Sequence, residues 1–99
     1  MKTIQLKKIL DSNILLTQSG EEFYTQLNDA LSKNERVIVD MSSTGILPSI
    51  ILNISIGQII DEYGVDILRK SVSFVSITRQ QALRLSDYIS KYCLEASVV

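Results

Sequence analysis

The sequence predicts an α/β fold built on a mixed four-stranded sheet with about three helices, and three observations predict it. Short β-branched runs lie at residues 36–41 and 72–77, apolar residues recur at helical spacing in three other segments, and strand and helix patterns alternate along the chain. Right-handed crossovers then make the later strands parallel, with the helices packed mainly on the sheet. Ninety-nine residues, 45% of them hydrophobic, suit one domain over residues 1–99 with a modest core.

Taken in order, Thr3 to Leu10 alternates loosely through Ile4, Leu6 and Ile9, and the turn signal Asp11-Ser12-Asn13 precedes Ile14-Leu15-Leu16. This predicts an antiparallel pair of strands. Ser19-Gly20-Glu21-Glu22 fits a capping box, with Phe23, Leu27, Ala30 and Leu31 at helical spacing behind it and an end near Lys33-Asn34. The unbroken run Arg36 to Met41 predicts a central strand covered on both faces. A second helix, from about Ser49 to Tyr63, buries Leu52, Ile56, Ile59, Ile60 and Tyr63, and Gly64 stops it. Val72 to Ile77 is the last strand. Thr78-Arg79-Gln80-Gln81 is a second capping box, opening a helix with Ala82, Leu85, Ile89 and Tyr92 on its inner side.

Composition removes several functions. Ten Lys and Arg against 11 Asp and Glu, scattered along the chain, leave no basic stripe for nucleic acid. No apolar run approaches the roughly 20 residues that span a bilayer, so a cytoplasmic protein without membrane contact is expected. There is no His, which excludes His-dependent acid/base, triad or metal chemistry, and the four Gly are too dispersed for a phosphate loop. Glu21-Glu22 and Asp61-Glu62 are neighbours on helices, where adjacent side chains point apart. Cys93, the one cysteine, reads as a buried thiol. No enzyme activity, cofactor or metal is expected.

The site-like chemistry gathers in VDMSSTGILPSIILNISIGQIIDEYG, residues 39–64. Parallel sheets bind ligands and partners at the carboxyl ends of their strands, where the loop Ser42-Ser43-Thr44 leaves the central strand. Asp40 is placed to fix that loop by accepting backbone N–H bonds. Pro48 suits a helix entrance, which leaves Ser49 as the N-cap or a first-turn residue. Projected at 100° per residue, Ile50, Ile54, Gly57 and Asp61 lie opposite the buried face. Two Ile and a mid-helix Gly on an outward stripe make sense where another backbone packs, from a partner or from this chain. Asn53 is positioned to hydrogen-bond the loop or a partner.

Val37-Ile38-Val39-Asp40, Pro48-Ser49, Leu52-Asn53 and Ile56-Gly57-Gln58 together resemble the STAS-like domains of bacteria, relatives of the anti-anti-sigma factor fold. The resemblance implies a small non-catalytic regulatory module that binds another protein, often a histidine-kinase-type ATPase acting as a Ser/Thr kinase. It also implies a phosphorylatable Ser at the start of the second helix, usually within an Asp-Ser-Ser-Gly-like sequence. Here Leu47-Pro48-Ser49-Ile50 stands there, so Ser49 falls at or one place before that position. Partner binding is thus expected through Ser42, Ser43, Thr44, Ser49, Ile50, Asn53, Ile54, Gly57 and Asp61. Two other readings stay open: a small-ligand or nucleotide sensor using the same loop and helix N-terminus, and a homodimer formed through the stripe.

Overall fold

The structure, a computed structural model, describes residues 1–98, and side chains through residue 94. The order is β1 (Lys2–Gln5), α1 (Leu6–Ser12), α2 (Leu16–Ser32), β2 (Val37–Asp40), α3 (residues 49–63), α4 (Val65–Ser71), β3 (Val72–Val75) and α5 (Arg79–Val98). The α/β class holds. The described residues form three strands in the order β1-β2-β3, all parallel, and not a mixed sheet of four.

The antiparallel pair expected near the start is replaced by one strand and a helix. β1 runs parallel to β2 with Ile4 beside Val39. Leu6 and Ile9 are buried three residues apart on one face of α1, and a run this short fits one helical turn as well as it fits alternation. Ile14, expected in a strand, is 96% exposed.

Helix α2 begins at Leu16, three residues before Ser19, so the first capping box does not form. The Ser19 amide donates to the Leu15 carbonyl at 3.1 Å, and the Glu22 carboxylate accepts from Asn13 and Gln26 instead. Ser19 and Gly20 are small for packing. A Cβ on Gly20 would lie 3.0 Å from Ile54 Cβ, where α3 passes. The end of α2 follows the expectation: Asn34 is left-handed at φ 59°, and the Asn34 and Glu35 amides bond back to Leu31 and Ala30 in a Schellman motif.

Sequential strand order with right-handed crossovers places the crossover helices on one face of the sheet. The strands agree, since Ile4, Val37, Val39 and Val72 are buried while Thr3, Gln5, Ser73 and Val75 on the other side are exposed. Thus β2 is central, but covered on one face and not two. Ile38 and Asp40 are half-buried on the open side.

Helix α3 consists of Ser49–Leu52, a π turn at Asn53–Gly57, and Gln58–Tyr63. Its expected inner residues Leu52, Ile56, Ile59 and Ile60 are buried, and Ile51 joins them. Within this helix the buried Ser55 hydroxyl donates to the Ile51 carbonyl at 2.6 Å, a back-bond that loosens the regular ladder at the π turn. Gly64, at φ 88°, ends the helix as expected. The short α4 behind it, anchored by Leu68, was not foreseen, and with α1 it raises the helices from three to five.

Two tyrosines tie α2 to the end of α3. Tyr63 donates to Asn28 Oδ1 at 2.6 Å, and Tyr24 donates to the Glu62 carboxylate, which pushes the Tyr24 pKa up to about 12. Among the described residues no helix is long and apolar enough to cross a membrane.

Candidate functional site

The loop after β2 is held by its own side chains. Asp40 Oδ1 accepts the Ser42 amide at 2.9 Å and the Ser42 hydroxyl at 2.6 Å, an Asx turn that makes Asp40 the loop-fixing residue. Ser43 is left-handed at φ 58°, and the Thr44 amide closes the turn on the Met41 carbonyl. Ser42 and Ser43 are exposed, whereas Thr44 is buried and offers no open surface. Gln5, Lys7 and Lys8 complete a shallow groove of about 220 Å³ beside Asp40.

The two Ser42 donors hold the Asp40 carboxyl below its ordinary value of 3.8. With the folded pKa depressed, this contribution to loop order is present above the unfolded value and is lost as pH falls through the folded one. An NMR titration of the Ser42 amide is therefore expected to show a midpoint below 3.8 and a flat response from pH 5 to 8. A midpoint at or above that value contradicts the Asx turn.

Pro48, extended at ψ 151°, occupies the N-cap position of α3, where no side chain caps the helix. Ser49 is therefore a first-turn residue and not the cap. Its hydroxyl accepts Arg84 Nη2 of α5 at 2.9 Å, while Arg84 Nε donates to the Leu47 carbonyl at 3.1 Å. A guanidinium beside a helix N-terminus joins two positive potentials, and such a site favours an anion. Lys91 lines the groove beside Ser49 but is paired with Asp87 at 3.1 Å, which leaves Arg84 as the cation bonded to Ser49.

The outward stripe does not form one open face. Ile50 is 41% exposed, but Ile54 is half-buried against Gly20 of α2. Gly57 is buried under α5: a Cβ there would meet Tyr88 Oη at 2.7 Å and the Tyr92 ring at 3.1 Å. Asp61 Oδ2 accepts the Tyr92 hydroxyl at 2.7 Å, and Asn53 Oδ1 accepts the Tyr88 hydroxyl at 2.6 Å. The π turn between Ile50 and Gly57 takes an extra residue per turn, so projection at 100° per residue fails across it. The chain's own α2 and α5 pack on Ile54 and Gly57, while Asp61, though bonded to Tyr92, stays exposed with Ile50.

The second capping box does form, and its glutamine does more than cap. Gln81 Oε1 accepts the Thr78 amide at 2.9 Å and the Gln81 amide donates to Thr78 Oγ1 at 3.1 Å. Gln81 Nε2 donates to the Gly45 carbonyl at 2.9 Å and also to the Thr44 carbonyl. Gln81, 4% exposed, thereby clamps the loop to α5. Of the inner residues expected on α5, Leu85 is buried, Ile89 and Tyr92 are half-buried, and Ala82 is exposed; Cys93 is half-buried and not enclosed.

Sequence reasoning missed Gln81, Arg84 and Tyr88 as site residues. The signal was their spacing with Leu85 and Tyr92, which sets polar and aromatic side chains along one side of α5. Among the described residues no group of three or more His, Cys, Asp or Glu side chains gathers to hold a metal. What the arrangement offers is a braced loop with two exposed hydroxyls, exposed Ile46 and Ile50 on either side of Pro48, and a cation at the helix start.

A family model described as a STAS-like domain of unknown function (DUF4325) matches residues 19–82. The match takes in most of α2, then β2, the loop, α3, α4, β3 and the first residues of α5. No curated protein and no solved structure matches the chain significantly.

Proposed function

Because the chain belongs to the family of STAS-like domains of unknown function, we propose that it is a non-catalytic regulatory module that docks on a protein partner. The docking point is the loop from Ser42 to Ser49 together with the exposed start of α3. One observation carries this reading: Ile46 and Ile50, 54% and 41% exposed, flank Pro48 on a loop that is otherwise held rigid from both sides. Aliphatic side chains held in water on a pre-ordered loop supply contact area at little ordering cost. The partner that the family resemblance favours is a histidine-kinase-type ATPase.

The Arg84 contact favours a second role for Ser49 within this reading. A phosphoryl group on Ser49 Oγ would meet the guanidinium and the positive end of the α3 dipole, both suited to a dianion. Mass spectrometry after incubation with the ATPase would detect it.

The docking reading is tested by co-purification with a kinase-like ATPase encoded by a neighbouring gene. Wild-type protein is expected to retain the ATPase, and Ile50→Glu to reduce retention at least tenfold while leaving the circular dichroism spectrum unchanged, because Ile50 lies outside the core. Equal retention by both proteins would remove Ile50 from the interface.

A further inference from the structure

We propose that copies of this chain associate head to tail, the aliphatic tip Ile14-Leu15-Leu16 of one copy seating in the apolar groove between α5 and β3 of the next. The tip stands where α1 turns into α2, and its residues are 96%, 56% and 48% exposed. Among the described residues no other run of three large apolar side chains is exposed.

Local structure does not account for these side chains. Leu15 occupies the N-cap of α2 and makes no capping hydrogen bond, although Ser, Thr, Asp or Asn would supply one there. Ile14, one place earlier, is where a hydrophobic staple begins, but the residue it would pack on, the fourth of the helix, is the buried and polar Ser19. Ile14 therefore projects into water without an apolar partner of its own.

The groove is the matching recess. It measures about 360 Å³ and is lined by Phe74, Ile77, Leu85 and Ile89, with Ala82 and Ser86 exposed at its margin. Phe74, Ile77 and Ile89 are half-buried, so the single chain leaves this apolar surface partly wet. A space of about 150 Å³ lined by such side chains already holds a benzene ring, so there is room here for two aliphatic side chains of the tip. Arg69 is the one charged lining residue, and its stem can lie along the tip while the guanidinium stays in water.

An apolar projection and an apolar recess, both unfilled, occur on one chain, and this makes a second copy the occupant. They lie at opposite edges of the sheet: the tip follows α1, which leaves β1, and the groove borders β3. A copy cannot fill its own groove, nor exchange both contacts with a single neighbour. Such a contact is heterologous and repeats into an open chain or a ring. Its small area places it in the weak, reversible class. Neither feature includes a residue of the loop from Ser42 to Ser49, so this contact is independent of the docking reading.

Sedimentation velocity from micromolar to millimolar concentration tests the proposal with two variants. Ile14→Glu/Leu15→Ser changes the tip at exposed positions, and its new Ser supplies a cap. Ala82→Glu/Ser86→Lys covers the groove with two long side chains paired four residues apart on α5, again from exposed positions. Wild-type protein is expected to gain mass with concentration and to pass beyond a dimer. Each variant alone should associate at least tenfold more weakly, with an unchanged circular dichroism spectrum. Their equimolar mixture, which offers one intact tip and one intact groove, should form a heterodimer and nothing larger. Wild-type protein that stays monomeric at millimolar concentration, or that stops at a dimer, overturns the proposal. So does either variant assembling like wild type, and so does a mixture that remains monomeric.

Discussion

Replacing Gln81 with alanine is expected to lower stability by about 2 kcal/mol, because it leaves one buried and two partly buried backbone groups without partners. The Thr78 amide and the Thr44 and Gly45 carbonyls each lose the bond they make with this side chain. Urea unfolding would report the change as a lower midpoint at an unchanged slope. The isosteric Gln81→Glu variant sharpens the test. Its carboxylate cannot donate to two carbonyls, so it should be as unstable as alanine at pH 7 and recover in part once acid protonates it. A midpoint shift within error of zero for both variants would mean that the loop does not depend on this clamp.

Gly57→Leu is the second large effect, and two opposing terms decide its sign. Leucine gains about 0.8 kcal/mol of helix propensity over glycine. Its Cβ, however, would lie 2.7 Å from Tyr88 Oη and 3.1 Å from the Tyr92 ring, with further atoms beyond it. Forcing side chains into filled space costs about 1–3 kcal/mol, so the clash wins and α5 must lift. The near-ultraviolet dichroism of the stacked tyrosines should collapse while the far-ultraviolet helix signal persists. Gly57→Ala sets the scale: its single methyl need only shift the Tyr88 hydroxyl, which is bonded to Asn53, and alanine is the best helix former, so its net effect should be much smaller than that of leucine. A Gly57→Leu protein with native near-ultraviolet dichroism would show that α5 does not press on this glycine.

The parts of this fold that were legible in the sequence are those where local chemistry leaves one answer. Pro48 and Gly64 bound α3 because proline fixes its own φ and glycine readily takes the positive φ that ends the helix. Asn34 ends α2 and the Thr78–Gln81 box opens α5 for the same reason. Asp40 was legible as the fixer of its loop because a carboxylate two residues ahead of a serine meets that amide by geometry alone.

The failures arise where tertiary contacts outweigh local signals. Ser19 and Glu22 satisfy a capping pattern, yet the helix starts earlier because Gly20 must lie inside it to let Ile54 approach. Residues 3–10 carry too few apolar positions to separate a period of two from one of 3.6, which hid α1. The site was read from α3 alone. Its other half is on α5, about 30 to 37 residues downstream, and bonds such as Arg84 to Ser49 and Tyr92 to Asp61 leave no local trace. A π turn, invisible to a fixed 100° step, completed the misreading of the stripe.

The central claim is that this STAS-like domain meets its partner through the braced loop and the start of α3, and not through the uncovered face of its sheet. Titrating isotope-labelled domain with the candidate ATPase and following amide chemical shifts tests it most directly. The account predicts changes concentrated at Ser42, Ser43, Ser49 and Ile50. Changes confined to Thr3, Ile38 and Ser73, on the open side of the parallel sheet, would contradict it.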